Sequence, residues 1–282
     1  MNRLRLLGRA FRHRNYRLFF SGQCLSLIGT WMQQTALGWL VYRMTGSAFL
    51  LGLVAFAGQA PSFFAAPAAG VVVDRWNRHR VLLWTQSMSM IQASALAALV
   101  LTDTVQVWHI LFLSVFMGLV NSFDMPARQS FVLQLVEDKK LLGNAIALNS
   151  SMVHLARMIG PPIAGLIIAV YGEGVCFLMN AVSYIAVLSS LLLMRGIPSH
   201  GRGHDGKAIQ FLKEGFSYAF GFLPIRSIIL LLAFTSLVGM PYMVLMPVFA
   251  KDIMLGDSHT LGIMMGAIGV GSLSGALFLA SR

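Results

Sequence analysis

Charged residues are scarce in this sequence of 282 residues, and the acidic ones are the scarcest. Lysine, arginine, aspartate and glutamate together make up 11% of the chain, and only 10 residues are acidic. Because a soluble domain carries about 25% charged residues, this chain cannot cover its surface with groups that favour water. With 57% apolar residues and a mean hydropathy of +0.73, the composition excludes a soluble enzyme, a disordered protein and a coiled coil, and it indicates a polytopic membrane protein.

Cysteines and cofactor motifs are also few. Cys24 and Cys176 both lie in apolar runs and provide no disulfide framework. The seven histidines lack the spacing of metal ligands, and the glycines at 269, 271 and 275 lack the spacing of a dinucleotide-binding loop. With no nucleotide-binding loop in the sequence, we expect no enzymatic activity, no cofactor and no use of ATP.

Long apolar runs are what the sequence contains instead. A helix needs roughly 20 apolar residues to cross a bilayer, and eight runs reach that length: 18–41, 48–73, 81–101, 105–125, 144–170, 175–194, 227–250 and 260–280. Of the 21 lysines and arginines, 18 fall on the side of the N terminus, two fall on the other side, and Arg157 lies within a run. The positive-inside rule therefore predicts a multi-pass protein of the cell membrane with a cytoplasmic N terminus. It also accounts for the net charge of +11 without nucleic acid.

The runs divide into six and two. Residues 196–206 are polar and glycine-rich, as in a flexible linker, and residues 207–222 have the pattern of an amphipathic helix on the membrane surface. We expect three parts: a six-helix bundle at 1–195, a cytoplasmic linker at 196–226, and the first two helices of a second bundle at 227–282.

An internal repeat supports this division. A shift of 210 residues aligns Ser26 with Ser236, Gly29 with Gly239, and Gly52 with Gly262, so the last two runs repeat the first two in the same orientation. Parallel six-span repeats are a known transporter architecture. The prediction is therefore an all-α membrane protein with eight transmembrane helices present of an expected twelve, in a truncated chain.

The connection after the second run places Asp74 among Arg75, Arg78 and Arg80 at the membrane surface. Its spacing, G-x-x-x-D-R-x-x-R, resembles the loop motif of the major facilitator superfamily. In that family the acidic residue and the arginine four places on lock two bundles together on the cytoplasmic side, and Asp74 and Arg78 match those positions. Asn77 stands where the motif usually has glycine.

The fourth run ends with Asn121, Asp124 and Arg128 on one helical face, next to Pro126, where the helix is expected to fray or bend. The resemblance implies a charge relay of Asp74, Arg78 and Asp124. An ordinary ion pair between Asp124 and Arg128 is the alternative, and the sequence leaves both open.

The fifth run contains Arg157, with His154 and Pro161 on the same face. A charge at mid-membrane costs roughly 2.5–3.5 kcal/mol on insertion scales, so Arg157 needs a partner or a wet cavity. We hypothesise that it lines a central cavity and binds an anionic substrate or a coupling carboxylate; bracing of helices is the alternative. Gly160-Pro161-x-x-x-Gly165 resembles the family's antiporter motif and predicts a helix that flexes and packs closely.

Neutral polar side chains complete the expected path. A stripe on the first run, extended to the fourth and fifth runs, gives a predicted substrate cavity of Gln23, Thr30, Gln34, Asn121, His154 and Arg157. For each neutral residue, an ordinary interhelical hydrogen bond is the alternative.

The sequences DMPARQ at 124–129 and RMIGPPIAG at 157–165 resemble the enterobactin-exporter and macrolide-efflux branch of the superfamily. The resemblance implies a monomeric secondary transporter in the lipid bilayer. It would export a small amphipathic molecule, such as a siderophore or drug, in exchange for protons. No acidic residue lies deep in a run, so the proton carrier is open between His154 and further helices. A uniporter or ion symporter of the same fold, and a non-transporting truncated membrane protein, are the alternatives.

Overall fold

A computed structural model describes residues 11, 13–136, 139–197 and 217–281, and every regular element within these ranges is helical. Six long helices come first: α1 (Arg14–Thr45), α2 (Ala48–Arg75), α3 (Arg78–Leu101), α4 (Val107–Leu135), α5 (Lys139–Tyr171) and α6 (Glu173–Leu192). They are followed by α7 (Leu223–Gly239), α8 (Pro241–Val244), α9 (Met246–Val248), a π-helical turn (Phe249–Ile253) and α10 (Ser258–Ser281).

Five segments of the described chain are long and apolar enough to cross a membrane: Ala48–Ala66, Val107–Leu135, Leu142–Tyr171, Glu173–Leu192 and Leu223–Val244. They correspond to the second, fourth, fifth, sixth and seventh predicted runs. α1 and α3 are less apolar because each carries buried glutamines, among them Gln23 and Gln33 in α1 and Gln86 and Gln92 in α3. The count of eight spans therefore stays a prediction.

Short, well-capped turns separate the first helices. Gly46 ends α1 with a φ of 60°, a left-handed conformation that suits glycine. The hydroxyl of Ser47 accepts a hydrogen bond from the backbone N–H of Leu50 at the start of α2. Asn77 caps α3, since its side-chain oxygen accepts from the N–H groups of His79 (3.0 Å) and Arg80 (3.3 Å). Asparagine in place of the motif's usual glycine thus starts the third helix.

The first six helices pack as a bundle. α1 contacts α5 and α6, α2 contacts α4, and α3 contacts both α4 and α6. One apolar core, which includes Met32, Leu40 and Phe177, lies toward the α1–α2 turn, and a second, which includes Tyr16 and Phe131, lies toward the start of α1. α10 packs along α5, so the segment that follows the predicted linker is joined to the bundle mainly through α5.

The seventh predicted span differs from the structure. The run at 227–250 was expected as one helix, but α7 ends at Gly239. Pro241 begins the short helix α8, and Pro247 is the second residue of the short helix α9. The reason is that proline lacks a backbone N–H and its ring clashes with the preceding turn. In contrast, α4 continues past Pro126 to Leu135, so that proline does not end its helix, and α5 likewise runs through Pro161 and Pro162.

Part of the predicted domain division falls outside the described residues. This applies to the linker beyond Ile197 and to residues 207–216 of the predicted amphipathic helix. The three-part division therefore stays a prediction.

Candidate functional site

Arg157 lies half-buried in α5, where the six-helix bundle meets α8. Its Nη2 atom is 2.7 Å from the thioether sulfur of Met243, and its guanidinium carbon is 5.3 Å from the centre of the Trp31 ring. Among the described residues, no carboxylate lies within 4.0 Å of this guanidinium. A thioether and an aromatic face attract a cation, but neither carries a charge that would neutralise it.

His154 precedes Arg157 by one helical turn. Its Nδ1 atom is buried and has no hydrogen-bond partner in the described part of the chain. An imidazole nitrogen can donate or accept a hydrogen bond according to its tautomer, so His154 adds an unused polar group beside the arginine.

Gly160 explains why Trp31 reaches Arg157. A methyl group on Gly160 would lie 2.7 Å from the Cβ atom of Trp31 and 3.0 Å from the carbonyl oxygen of Ile28. Only glycine therefore allows α5 to approach α1 this closely, and the approach places the indole ring of α1 over the guanidinium of α5.

Pro161 and Gly165 face a different helix. The Cα atom of Gly262 in α10 packs against Gly165, and the hydroxyl of Ser258 donates to the carbonyl oxygen of Gly165 at 3.3 Å. A methyl group on Gly165 would lie 2.6 Å from the carbonyl oxygen of Ser258. The three residues predicted to let the helix flex thus form two close contacts, Gly160 with α1 and the other two with α10; their flexing stays a prediction.

The predicted polar stripe on α1 is divided between the core and the surface. Gln23 is buried, Thr30 is half-buried and donates to the carbonyl oxygen of Ser26 (2.9 Å), and Gln34 is exposed. Asn121, the predicted cavity residue on α4, is half-buried. The side chains predicted for the substrate cavity are therefore not all brought together at one point, and their role stays a prediction.

Gln33 was not among the predicted site residues, yet it connects three helices. Its amide donates to Gln92 of α3 at 2.9 Å, and its oxygen accepts from Asn180 of α6 at 2.8 Å. All three side chains are buried. The sequence signal for this contact was the pair of adjacent glutamines at 33 and 34. Adjacent residues on a helix point in different directions, so with Gln34 on the predicted polar stripe, Gln33 points to another part of the bundle.

Asp124 is the centre of a buried polar cluster between α3 and α4. It is only 3% exposed. Its Oδ1 accepts hydrogen bonds from Thr85 (2.8 Å) and Gln86 (2.7 Å), and its Oδ2 accepts from Arg128 (2.8 Å). All three neighbours donate, which suits an ionised carboxylate because that group only accepts.

The pair of Asp74 and Arg78 is more open. Its closest N–O distance is 3.7 Å, and the Asp74 side chain is 65% exposed, as suits a residue next to the exposed Arg75. The Nε atom of Arg78 is buried and has no hydrogen-bond partner among the described residues. In the described chain Arg78 pairs with Asp74 and Arg128 pairs with Asp124, without an ion pair between Arg78 and Asp124; the charge relay stays a prediction.

Three contacts at the opposite end of the bundle were not anticipated. Arg43, in the last turn of α1, pairs with the buried Glu173 at the start of α6 through Nε–Oε1 (2.7 Å) and Nη2–Oε2 (3.2 Å). The Tyr42 hydroxyl donates to Asp252 of the π-helical turn, and the Lys251 ammonium lies 5.6 Å from the centre of the Tyr42 ring. These contacts tie α1 to α6 and to the segment after α7.

Comparison with known proteins agrees with the motifs and the helical bundle. Residues 9–282 match the family described as transmembrane secretion effector. The chain is 30% identical over 266 residues to the staphyloferrin A transporter of Staphylococcus aureus, which covers 93% of the chain and 66% of that relative. It is 23% identical over 275 residues to macrolide efflux protein A of Streptococcus pyogenes (95% and 67%). It is 27% identical over 253 residues to the multidrug efflux pump Tap of Mycolicibacterium fortuitum (86% and 61%).

The chain thus spans about two thirds of the length of these curated relatives. Its match extends over both the six-helix bundle and the segment that contains α7 to α10. The chain therefore belongs to the transmembrane secretion effector family of the major facilitator type, a family of membrane transporters rather than enzymes.

Proposed function

We propose that this chain acts in the export of a small amphipathic molecule across the bacterial plasma membrane, by alternating access and driven by proton entry. The observation that carries the proposal is Arg157, a cation in α5 that contacts a thioether and an aromatic ring but, among the described residues, no carboxylate within 4.0 Å. The names of two relatives, which are efflux proteins, support the outward direction.

The substrate binds through an acidic group at Arg157. A guanidinium keeps its charge and presents a planar fork that suits a carboxylate, and a charge-assisted pair is stronger than the contact with a neutral sulfur. Met243 would move aside when the acidic group arrives, and the Trp31 ring would pack against the apolar part of the substrate. The site therefore favours an amphipathic anion.

Alternating access uses the contact between α5 and α10. Gly165 and Gly262 keep the two backbones close, so the contact can act as the axis about which the two parts rock. At the end that carries the α1–α2 turn, Tyr42 and Asp252 hold the parts together, whereas α7 has no buried residue along its length. In the proposed cycle this arrangement is taken as the state closed on the outside, with the N terminus in the cytoplasm as the distribution of basic residues predicts.

Proton coupling is assigned to His154. Its Nδ1 atom has no hydrogen-bond partner among the described residues, and His154 lies one helical turn from Arg157, where the acidic group of the substrate is proposed to bind. Substrate and proton would then affect each other's binding through this pair, as coupled transport requires.

The test measures export of a fluorescent amphipathic acid, a dansylated amino acid, and of its neutral methyl ester from membrane vesicles. Removal of a charge-assisted hydrogen bond costs about 1.5–3 kcal/mol, so Arg157→Ala should lower transport of the acid roughly 10-fold to 100-fold and leave the ester unchanged. Arg157→Lys keeps the charge but loses the fork, and it should be impaired nearly as much. Arg80→Ala, which removes an exposed charge from the start of α3, is the matched control.

The energy source is tested in the same vesicles with a protonophore, which should abolish uphill export. Export that continues at the same rate would show uniport or another coupling ion. If Arg157→Ala transports the acid like the unmodified protein but is less stable, the arginine only braces the helices and the anionic site is wrong.

A further inference from the structure

A cavity lies at the end of the bundle where α1 begins and where α4 and α6 end. It has a volume of about 520 Å³, and six of its lining residues are His13, Arg14, Asn15, Gln134, Arg195 and Gly196. None of them belongs to the predicted transport site, so the cavity is a separate feature of the fold.

Asn15 holds the cavity together. Its amide donates to the carbonyl oxygen of Arg195 at 2.8 Å, and its oxygen accepts from the N–H of Arg195 at 3.4 Å. This double hydrogen bond joins the first turn of α1 to the segment that follows α6. It therefore fixes Arg195 beside Arg14, although the two residues are far apart in sequence.

The cavity is positively charged and lacks an internal counterion among the described residues. Arg14 and Arg195 both line it, and neither has a carboxylate within 4.0 Å in that part of the chain. His13 precedes α1 and makes no side-chain hydrogen bond to its first turn. Because His13, Arg14 and Asn15 line the cavity, the positive N-terminal end of this 32-residue helix lies at it. Two guanidinium groups and a helix N terminus around one cavity suit a phosphate group.

Exposed apolar side chains lie close in sequence to the residues that line the cavity. Leu133 is exposed one residue before Gln134, and Leu192 and Leu193 are exposed just before Arg195. In a membrane protein such side chains face acyl chains, while arginines at helix ends reach the headgroup layer. The phosphate group that fits the cavity is therefore expected to carry apolar chains.

We propose that this cavity binds the headgroup of an anionic phospholipid, with its phosphate between Arg14 and Arg195 and its acyl chains along the exposed leucines. Basic pockets between transmembrane helices are known to recognise anionic headgroups. The proposal is independent of the exported substrate, since it uses none of the residues assigned to transport. Glu137 and Asp138 follow Leu135 closely in sequence and lie outside the described residues, so the test includes their possible effect on charge.

The experiment measures lipids bound to the purified chain by native mass spectrometry. The protein is titrated with phosphatidylglycerol and, separately, with phosphatidylcholine. Each arginine near an anionic lipid contributes about fivefold in affinity, so Arg14→Gln with Arg195→Gln should weaken phosphatidylglycerol binding roughly 30-fold. All four arginines are exposed, but Arg80 and Arg226 are not among the residues that line the cavity. Arg80→Gln with Arg226→Gln therefore removes the same charge elsewhere on the chain and should change binding less than about twofold. Arg14→Lys with Arg195→Lys keeps the charge, and binding that persists in this variant shows that the cavity still folds.

Several results would overturn the proposal. Equal binding of phosphatidylglycerol and phosphatidylcholine by the unmodified chain would show that the cavity does not select anionic headgroups. This result is expected if Glu137 and Asp138 neutralise the charge of Arg14 and Arg195. An equal loss in both glutamine variants would show a general effect of charge. Glycerol 3-phosphate and inorganic phosphate form the second arm: if either binds as tightly as phosphatidylglycerol, the ligand is a free phosphate and the lipid assignment is wrong.

Discussion

The polar cluster around Asp124 makes a quantitative prediction about stability. Asp124→Ala removes the acceptor of three hydrogen bonds, those from Thr85, Gln86 and Arg128. Breaking a buried ion pair by removing one partner costs about 3–5 kcal/mol. Because the Arg128 side chain is 21% exposed and can turn toward solvent, we expect the lower end of that range, about 3 kcal/mol.

Asp124→Asn should be milder because the cluster can adapt to an amide. The Oε1 atom of Gln86 is buried and has no hydrogen-bond partner among the described residues. A rotation of the Gln86 amide would let this oxygen accept from the new asparagine, whose own oxygen still accepts from Arg128. The loss is then mainly that of the charge, about 1–2 kcal/mol.

Asp74→Ala is the matched control, since it removes the acid of the other i,i+4 pair. The Asp74 side chain is 65% exposed and 3.7 Å from Arg78, and such exposed helical pairs contribute only about 0.3–0.5 kcal/mol. Helical circular dichroism of each variant in mixed micelles, followed through unfolding, should rank the losses as Asp124→Ala, Asp124→Asn and Asp74→Ala. If Asp124→Ala unfolds within about 1 kcal/mol of Asp74→Ala, the buried hydrogen bonds do not stabilise the bundle as argued.

Three further predictions concern other contacts. Gly165→Ala should destabilise the α5–α10 contact by about 1–3 kcal/mol through overpacking. The control Gly271→Ala, with no atom near the added methyl group, should be neutral or stabilising in the same unfolding assay. Equal losses of stability in the two variants would contradict the close approach of α5 and α10. Arg43→Met leaves the buried Glu173 without its partner and should lower the unfolding temperature. Adding Glu173→Gln removes the unpaired charge and should restore most of the loss. A double variant no more stable than Arg43→Met would contradict the role of this ion pair. A backbone hydrogen bond at the start of α10 lowers the pKa of Asp257. The ionised Asp257 therefore stabilises the start of α10 above its unfolded-state pKa, and this stabilisation is lost as the pH falls through its folded-state pKa. Asp257→Asn should therefore reduce the pH dependence of α10 unfolding at acid pH. An unchanged pH dependence would contradict the capping of α10 by Asp257.

The all-helical fold was predictable because the signals of a helix are local, whereas the count of eight spans stays a prediction. An apolar run of the right length, ended by a glycine such as Gly46 or a cap such as Asn77, reports the boundaries of a helix from a few neighbouring residues. Prolines were harder to interpret. Pro126 and Pro161 lie inside continuous helices, yet a break occurs at Pro241. In a bundle, neighbouring helices and local adjustments can satisfy the freed carbonyl, and that compensation depends on tertiary contacts that the local sequence does not contain.

The arginines show why the candidate site was only partly predictable. The cost of placing a charge in the membrane identified Arg157 as a candidate. The same physical rule does not predict which residue pairs with that charge. Arg43 forms an ion pair with Glu173, which lies 130 residues away in sequence. The two side chains come together because α1 and α6 pack side by side. Arg157 meets Met243 and Trp31 instead. Arg43 and Arg157 both carry a positive charge, but the fold places an anionic side chain only next to Arg43. Of these two arginines, Arg157 has no carboxylate partner among the described residues, so an anionic ligand would gain a charge-assisted contact there. The charge balance of the folded chain is therefore a stronger argument for an anionic substrate than its motifs are.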